Sequence, residues 1–213
     1  MTTAQLATAL AAQINAVADL PVSAAVDAGT TTKVNLTAKN KGLASNDIDV
    51  RLNFYGALSG EALPAGLGVT ITPMSGGQVN PTLTTALANL GDMTFDFIAM
   101  PYNDAASLNS VKAFLSTTTG RWSWSQGLYG HAYGGFRGTL GECHTFGATR
   151  NDEHVSIMGF NNSPTPSWIL AADLTAAAAI SCRADPAQPM QTVALASFLP
   201  PPLESRFQLT DRN

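Results

Sequence analysis

The 213-residue chain sets 11 Lys and Arg against 15 Asp and Glu, and this net charge of −4 lacks the basic footprint of a nucleic-acid or anionic-membrane binder. Charged residues make up 12% of the sequence, about half of the roughly 25% usual in soluble domains, so the surface repels its own copies weakly. Such a surface fits a neutral secreted protein or a subunit covered by identical neighbours, and composition does not choose between them. Cys143 and Cys182, the only cysteines, are too sparse for a disulfide scaffold and read as buried thiols in a reducing compartment. The opening MTTAQLATALAAQ lacks the basic start and continuous apolar core of a signal peptide, and no apolar run is long enough to span a bilayer. A soluble, unexported protein is expected.

Leu6, Leu10, Ile14 and Val17 recur at helical spacing and predict an amphipathic helix from Thr3 to Ala16. Val22, Ala24 and Val26, then Val34, Leu36 and Ala38, alternate on either side of a turn at Asp27-Ala28-Gly29, which reads as a β-hairpin. Ile48, Val50, Leu52 and Phe54 alternate strictly with Asp49, Arg51, Asn53 and Tyr55 and predict a strand with one buried face. Val69 and Ile71 propose one more strand, ended by Pro73 and Gly76-Gly77. Residues 1–78 therefore read as an α+β unit of a helix and antiparallel strands.

Asn80-Pro81 signals the start of a helix whose Leu83, Leu87 and Leu90 form its stripe and whose stop is Gly91. The next stretch, Thr94 to Leu115, is the one around which the rest of the chain is organised. Phe95 to Met100 is a short, nearly charge-free apolar run suited to a central strand covered on both faces. Pro101 ends it, and Asn103 or Asp104 caps a helix bearing Leu108, Val111 and Leu115 on one stripe, which is the order of a βαβ unit. Further elements are expected as a strand at Leu128 to Tyr133, a short helix from the capping box at Thr139 to Glu142, and a strand from His154 to Gly159. That short helix turns Leu140, Cys143 and Phe146 inward. A long helix from Ser167 to Arg183 and a last strand from Gln191 to Leu195 complete a layered α/β domain over residues 79–200. Residues 201–213 read as a linker, because Pro200-Pro201-Pro202 cannot be helical and Thr210 has the character of an N-cap with no helix after it, as if the chain were cut from a longer one.

A nucleophile, base and orienter can be picked from Ser156, His131 or His154, and Asp152, but none sits in a motif such as G-x-S-x-G that would aim it, so no catalytic residue is assigned. His144 beside Cys143 lacks a paired ligand spacing, so no metal site is assigned either. Neither Gly127 to Gly130 nor Gly134-Gly135 has a nucleotide-binding spacing, and no cofactor site is expected. Trp122 and Trp124, flanked by Arg121, suit an interface better than a stacking site, given the missing basic field. With the loop that opens at Asn161, Asn162 and Ser163, they are the candidate subunit-interface residues, since both loops follow an element end and combine aromatics and prolines with few charges.

Three long blocks, DFIAMPYNDAASLNSVKAFL, GHAYGGFRGTLGECHTFGATRNDEHVSIMGFNNSPTPSW and DPAQPMQTVALASFLPP, together resemble contractile phage tail sheath proteins of the Mu-like branch. The opening run, LATALAAQINAVADLPVSAAVD and KVNLTAKNKGLASNDIDVRL, is similar to the same family, so the resemblance covers nearly the whole chain. It implies a fragment of a longer sheath subunit with a three-layer, subtilisin-like α/β domain that serves as structure and not as an enzyme. It further implies that the subunit stacks in six-fold rings around a tail tube and contracts to drive the tube into a bacterium. The implied partners are other sheath subunits, the tail tube protein, and baseplate and tail terminator proteins, with no cofactor, nucleic acid or membrane. The implied location is the virion tail, reached by assembly in the host cytoplasm. Because ring joining in this family relies on terminal extensions, the isolated chain is expected to be mostly monomeric. Two other classes stay open, a hydrolase on the α/β scaffold and a carbohydrate- or surface-binding module using Trp122, Trp124 and Tyr129. Serine-directed probes separate the first and a glycan array the second.

Overall fold

The computed structural model describes residues 1–187 and 189–212. Gln188, just before the expected last strand, and Asn213, the end of the expected linker, lie outside the described residues. The chain divides into two compact units, one of Met1–Ile48 with Thr72–Val79, the other of Asp49–Ile71 with the chain from Asn80 onward.

In the first unit, α1 (Thr3–Ala16) starts at a capping box, with Thr2 Oγ1 accepting from the Gln5 amide and Gln5 Oε1 accepting from the Thr2 amide. The hairpin pairs β1 (Val22–Val26) antiparallel with β2 (Val34–Ala38), in register from Val22 opposite Ala38 to Val26 opposite Val34. Its turn is tied by the Asp27 carboxylate, which accepts from the Gly29 and Thr30 amides and from Asn35. The helix lies on β1 with a different stripe from the expected one. Ala7 and Ala11 are buried, while Leu10 and Val17 are 49% and 51% exposed. Small side chains let the helix backbone approach the sheet. Asn15, one turn beyond Ala11, fixes its rotation by donating to the Ala24 carbonyl and accepting from the Ala24 amide, both at 2.8 Å.

The strands expected at Ile48 to Tyr55 and around Val69 and Ile71 do not form. Alternation describes two faces, but a strand also needs a neighbouring edge for its backbone groups, and these stretches find none among the described residues. Arg51 instead bonds Asp49 two residues back, and the chain turns at Asn53, whose φ is 52°. Residues 1–78 thus hold one two-stranded sheet, without the two further strands.

The second unit is layered. α2 (Thr84–Ala88) is shorter than its leucine stripe implied, and Asn80 does not cap it. Asn80 is buried and donates to Asp104. The helix ends at Ala88 with Asn89 as its C-cap, before the expected stop at Gly91, which takes a φ of 50° in the turn that follows. β3 (Phe97–Met100) and α3 (Ala105–Phe114, capped by Asp104) come next as the βαβ order requires, and β4 (His131–Arg137), α4 (Leu140–Ala148) and β5 (Val155–Phe160) repeat it. All three strands are parallel in the order β3-β4-β5, with Ile98 opposite Ala132 and Ala132 opposite Val155. The apolar run Phe95 to Met100 is therefore an edge strand of this sheet, and β4 occupies the centre. Met100 is buried, Phe97 and Ile98 are half-buried and Ala99 is exposed, so the expected cover on both faces is incomplete.

One face of the sheet carries α3 and α4, where Met100, Leu108, Val111, Leu115 and Ala132 form a buried core with Phe146, Val155 and Ile157 against it. The other face carries α5 (Ser167–Ala184), which packs on β4 and β3 and buries Leu170, Ala171, Thr175, Ala177 and Ala178. β4 runs later than expected, through Gly134-Gly135, because α5 comes so close that a Cβ on Gly135 would stand 2.8 Å from the Ser167 carbonyl oxygen. As expected, Leu140, Cys143 and Phe146 are the inward residues of α4, although each stays half-buried. Both cysteines are half-buried free thiols instead of core ones. No strand forms at Gln191 to Leu195, where Thr192 takes a φ of 60° that breaks an extended run. Thr210 lies inside a short 3-10 turn, Leu209–Arg212, and not before an absent helix. No helix among the described residues is long and apolar enough to cross a membrane.

Candidate subunit interface

The loop between α3 and β4 is a closed, internally bonded turn. The Leu128 amide donates to the Arg121 carbonyl at 2.8 Å, and the Gln126 and Gly127 amides both donate to the Ser123 carbonyl. Below it, the Arg121 side chain is only 3% exposed, donates to the Gly91 and Met93 carbonyls, and lies over the Phe114 ring at 5.0 Å. Arg121 is thus an internal clamp and not a cation flanking a stacking platform.

The two tryptophans of this loop separate. Trp122 turns inward, donating from Nε1 to the Gly130 carbonyl at 2.7 Å, stacking on His154 at 4.0 Å, and meeting Tyr129 edge-on at 4.8 Å. Trp124 points out and is 95% exposed. The second loop behaves the same way. Asn162, exposed and with φ 50°, accepts twice from Arg51 and donates to Ser205 Oγ at 3.0 Å. Ser163 is 0% exposed, donating to the Leu199 carbonyl at 2.6 Å and accepting from the Thr165 amide. Asn161 is half-buried. Of the five candidates, Trp124 and Asn162 are open to a neighbour, whereas Trp122 and Ser163 hold the subunit's own loops.

A cavity of about 320 Å³ opens between α4 and β5. Its walls include Phe136, Cys143, Phe146, Val155, Ile157 and Gly159, with the Phe136 and Phe146 rings stacked at 4.1 Å, and Arg150, Asn151 and Asp152 at its rim. Sequence reasoning missed it. The one available signal was Gly147, one position after the inward Phe146, where a Cβ would meet no atom within 4 Å. The rim is electrostatically closed, since Asp152 accepts from Arg150 and pairs with Lys112 at 2.9 Å. Burial acts to raise the Asp152 carboxyl, but the bonds and charges of Lys112 and Arg150 outweigh it and hold the group below the ordinary carboxylate range. The Cys143 thiol is pushed up by burial and by the Glu142 charge, so it rests as a thiol and not as a thiolate nucleophile.

The imagined triad is half assembled. His131 Nε2 lies 2.9 Å from Ser156 Oγ, while Asp152 is held by Arg150 and Lys112, and His154 is stacked on Trp122. Burial, with the neighbouring His154 charge, lowers the His131 imidazole below its usual value, and among the described residues no carboxylate bond orients His131 as a base. Ser156 is exposed on β5. Among the described residues no group of His, Cys, Asp and Glu is arranged to hold a metal ion.

Two comparisons bear on what this surface serves. The family model for the phage tail sheath protein central domain matches residues 76–213. A Mu-like prophage FluMu tail sheath protein of Haemophilus influenzae is 39% identical over 195 residues, which is 92% of this chain and 38% of that relative's length.

Proposed function

The chain belongs to the phage tail sheath protein family, and from that premise we propose that it is the part of a sheath subunit that packs into six-fold rings around a tail tube and shifts against its neighbours when the tail contracts. The family match carries this reading. A structural role in a phage tail follows from it, with the virion as its location, and no enzymatic role is proposed. The whole subunit's partners are proposed to be further sheath subunits, the tube protein, and baseplate and terminator proteins, with assembly in the host cytoplasm before the sheath drives the tube through the host envelope.

The physics of the surface supports the same reading. With 12% charged residues, neighbouring copies can exchange one set of neutral contacts for another without stranding buried charges, as a two-state lattice requires. The proposed division is an α+β unit over residues 1–78, of which Asp49–Ile71 groups with the second unit, the layered domain over 79–200 and a linker beyond it, with Trp124 and Asn162 offered to neighbours. The chain spans 38% of the length of the relative it matches, and ring closure is assigned to the rest, so the isolated chain should scatter light as a monomer.

Negative-stain microscopy of the full-length protein tests the proposal. Tubes with six-fold end views support it. A dispersed protein with no tubes or rings at high concentration overturns it.

A further inference from the structure

Trp124 and the α4–β5 cavity are unexplained features of one unit. The indole is 95% exposed, yet the loop that carries it is rigid, closed by three backbone bonds and clamped from below by Arg121 and Trp122. Displaying the largest apolar side chain on a stiff loop costs solvation in the free subunit and little entropy on docking. The cavity is the reverse shape, about 320 Å³ walled by Phe136, Phe146, Ile157 and Cys143. A cavity of about 150 Å³ already takes a benzene ring, so this one has room for an indole.

We propose that Trp124 of one copy seats in the α4–β5 cavity of the next copy, as a knob-and-hole contact between sheath subunits. This rests on the sheath reading and names one contact within it. Charge favours a second copy as occupant. The loop from Ser123 to Gly127 carries no charge, and the rim charges Arg150 and Asp152 are spent on each other, so the knob meets no unpaired ion. Area gives the contact its place. A tryptophan buries about 150–250 Å², far below the roughly 800 Å² per partner of a stable pair. The contact therefore works as one link of many. Knob and hole are different patches of one chain, so each copy uses both at once, and the joining is head-to-tail, the geometry that generates rings and helices.

The test replaces Trp124 by the photoreactive aromatic p-benzoylphenylalanine in the full-length protein, where the other links between copies are present. Equal amounts of isotope-labelled and unlabelled protein are mixed at high concentration, irradiated and mapped by mass spectrometry. Hybrid-mass cross-links from position 124 into the segment Phe136 to Gly159 are expected. The control is Gly147→Leu, which fills the cavity mouth. A Cβ there meets no atom within 4 Å, and leucine is the better helix former, so the fold should hold in circular dichroism while the cross-link yield falls about ten-fold. Cross-links elsewhere, or a yield indifferent to Gly147→Leu, overturn the contact. Those results with tubes still forming from the full-length protein would refute this seat alone, whereas absent tubes would refute the sheath reading.

Discussion

Trp122 and Trp124 are two residues apart and belong to one loop, yet the structure gives them opposite energetic roles. Trp122→Ala removes an indole stacked on His154 and set edge-on against Tyr129, and it strips the Gly130 carbonyl of its 2.7 Å bond. Fully buried Trp→Ala changes cost about 3–5 kcal/mol, and a partly buried ring belongs near the lower end, about 2–3 kcal/mol. The carbonyl left without its partner at buried Gly130 adds about 1 kcal/mol. The loss of about 3–4 kcal/mol, with a urea slope of about 2–3 kcal/mol per M, lowers the midpoint by about 1–2 M. Trp122→Phe keeps a ring against His154 and loses only the bond and some area, about 1–2 kcal/mol. Trp124→Ala, at an exposed position, stays within about 0.5 kcal/mol of the parent. Urea titrations of the 213-residue chain followed by far-ultraviolet circular dichroism measure all three. A Trp122→Ala midpoint equal to the parent's, or a Trp124→Ala loss as large, would refute the assignment of one ring to the loop's interior and the other to its display.

Asp152→Asn should cost about 2 kcal/mol at neutral pH by breaking the pairs with Arg150 and Lys112. Because the folded Asp152 pKa is lowered, its stabilisation is present above the ordinary carboxylate value and disappears as pH falls from about 4 through the folded pKa, so the variant's melting temperature should fall less steeply there than the parent's. Equal slopes would mean that the pair is not the source. Gly135→Ala forces a Cβ to within 2.8 Å of the Ser167 carbonyl oxygen and should cost about 1–3 kcal/mol by pushing α5 off β4, a change measurable as a lower thermal midpoint. A neutral result would show that α5 gives way freely. Asp104→Ala removes the N-cap bond to the Ser107 amide and the bond from Asn80, and should cost about 1–2 kcal/mol, with Asp104→Ser restoring most of it. Failure of serine to restore stability would place the cost outside the cap.

The elements legible in the sequence were those whose signal is local. The Asp104 cap with Leu108, Val111 and Leu115, the Thr139 capping box, and the hairpin around Asp27-Ala28-Gly29 each place their determinants within a turn or two of one another, and each formed where the pattern put it. The parallel βαβ order also held, because a helix between two apolar runs has few ways to return the chain. What failed required a partner from elsewhere. The alternation of Ile48 to Tyr55 was the clearest strand pattern in the chain, but Arg51 found Asp49 and Asn162 where a strand would have needed a neighbouring backbone. The face of α1 was decided by Asn15 reaching Ala24, not by the largest side chains.

The interface candidates divide along the same line. Sequence marks Trp122, Trp124, Asn162 and Ser163 as unusual loop residues, and composition alone carries no information about which way each one turns. Trp122 and Ser163 face inward because the Gly130 and Leu199 carbonyls, 8 and 36 residues away, accept their hydrogens, while Trp124 finds no such acceptor among the described residues and stays in solvent. The cavity is the extreme case. It is lined in part by Gly147, where a Cβ would meet no atom within 4 Å, and becomes visible only when α4 is laid across β5. Local propensity and capping are written in neighbouring residues and can be read there. Direction, register and empty space arise from atoms far apart in the chain, so tertiary packing alone decides them.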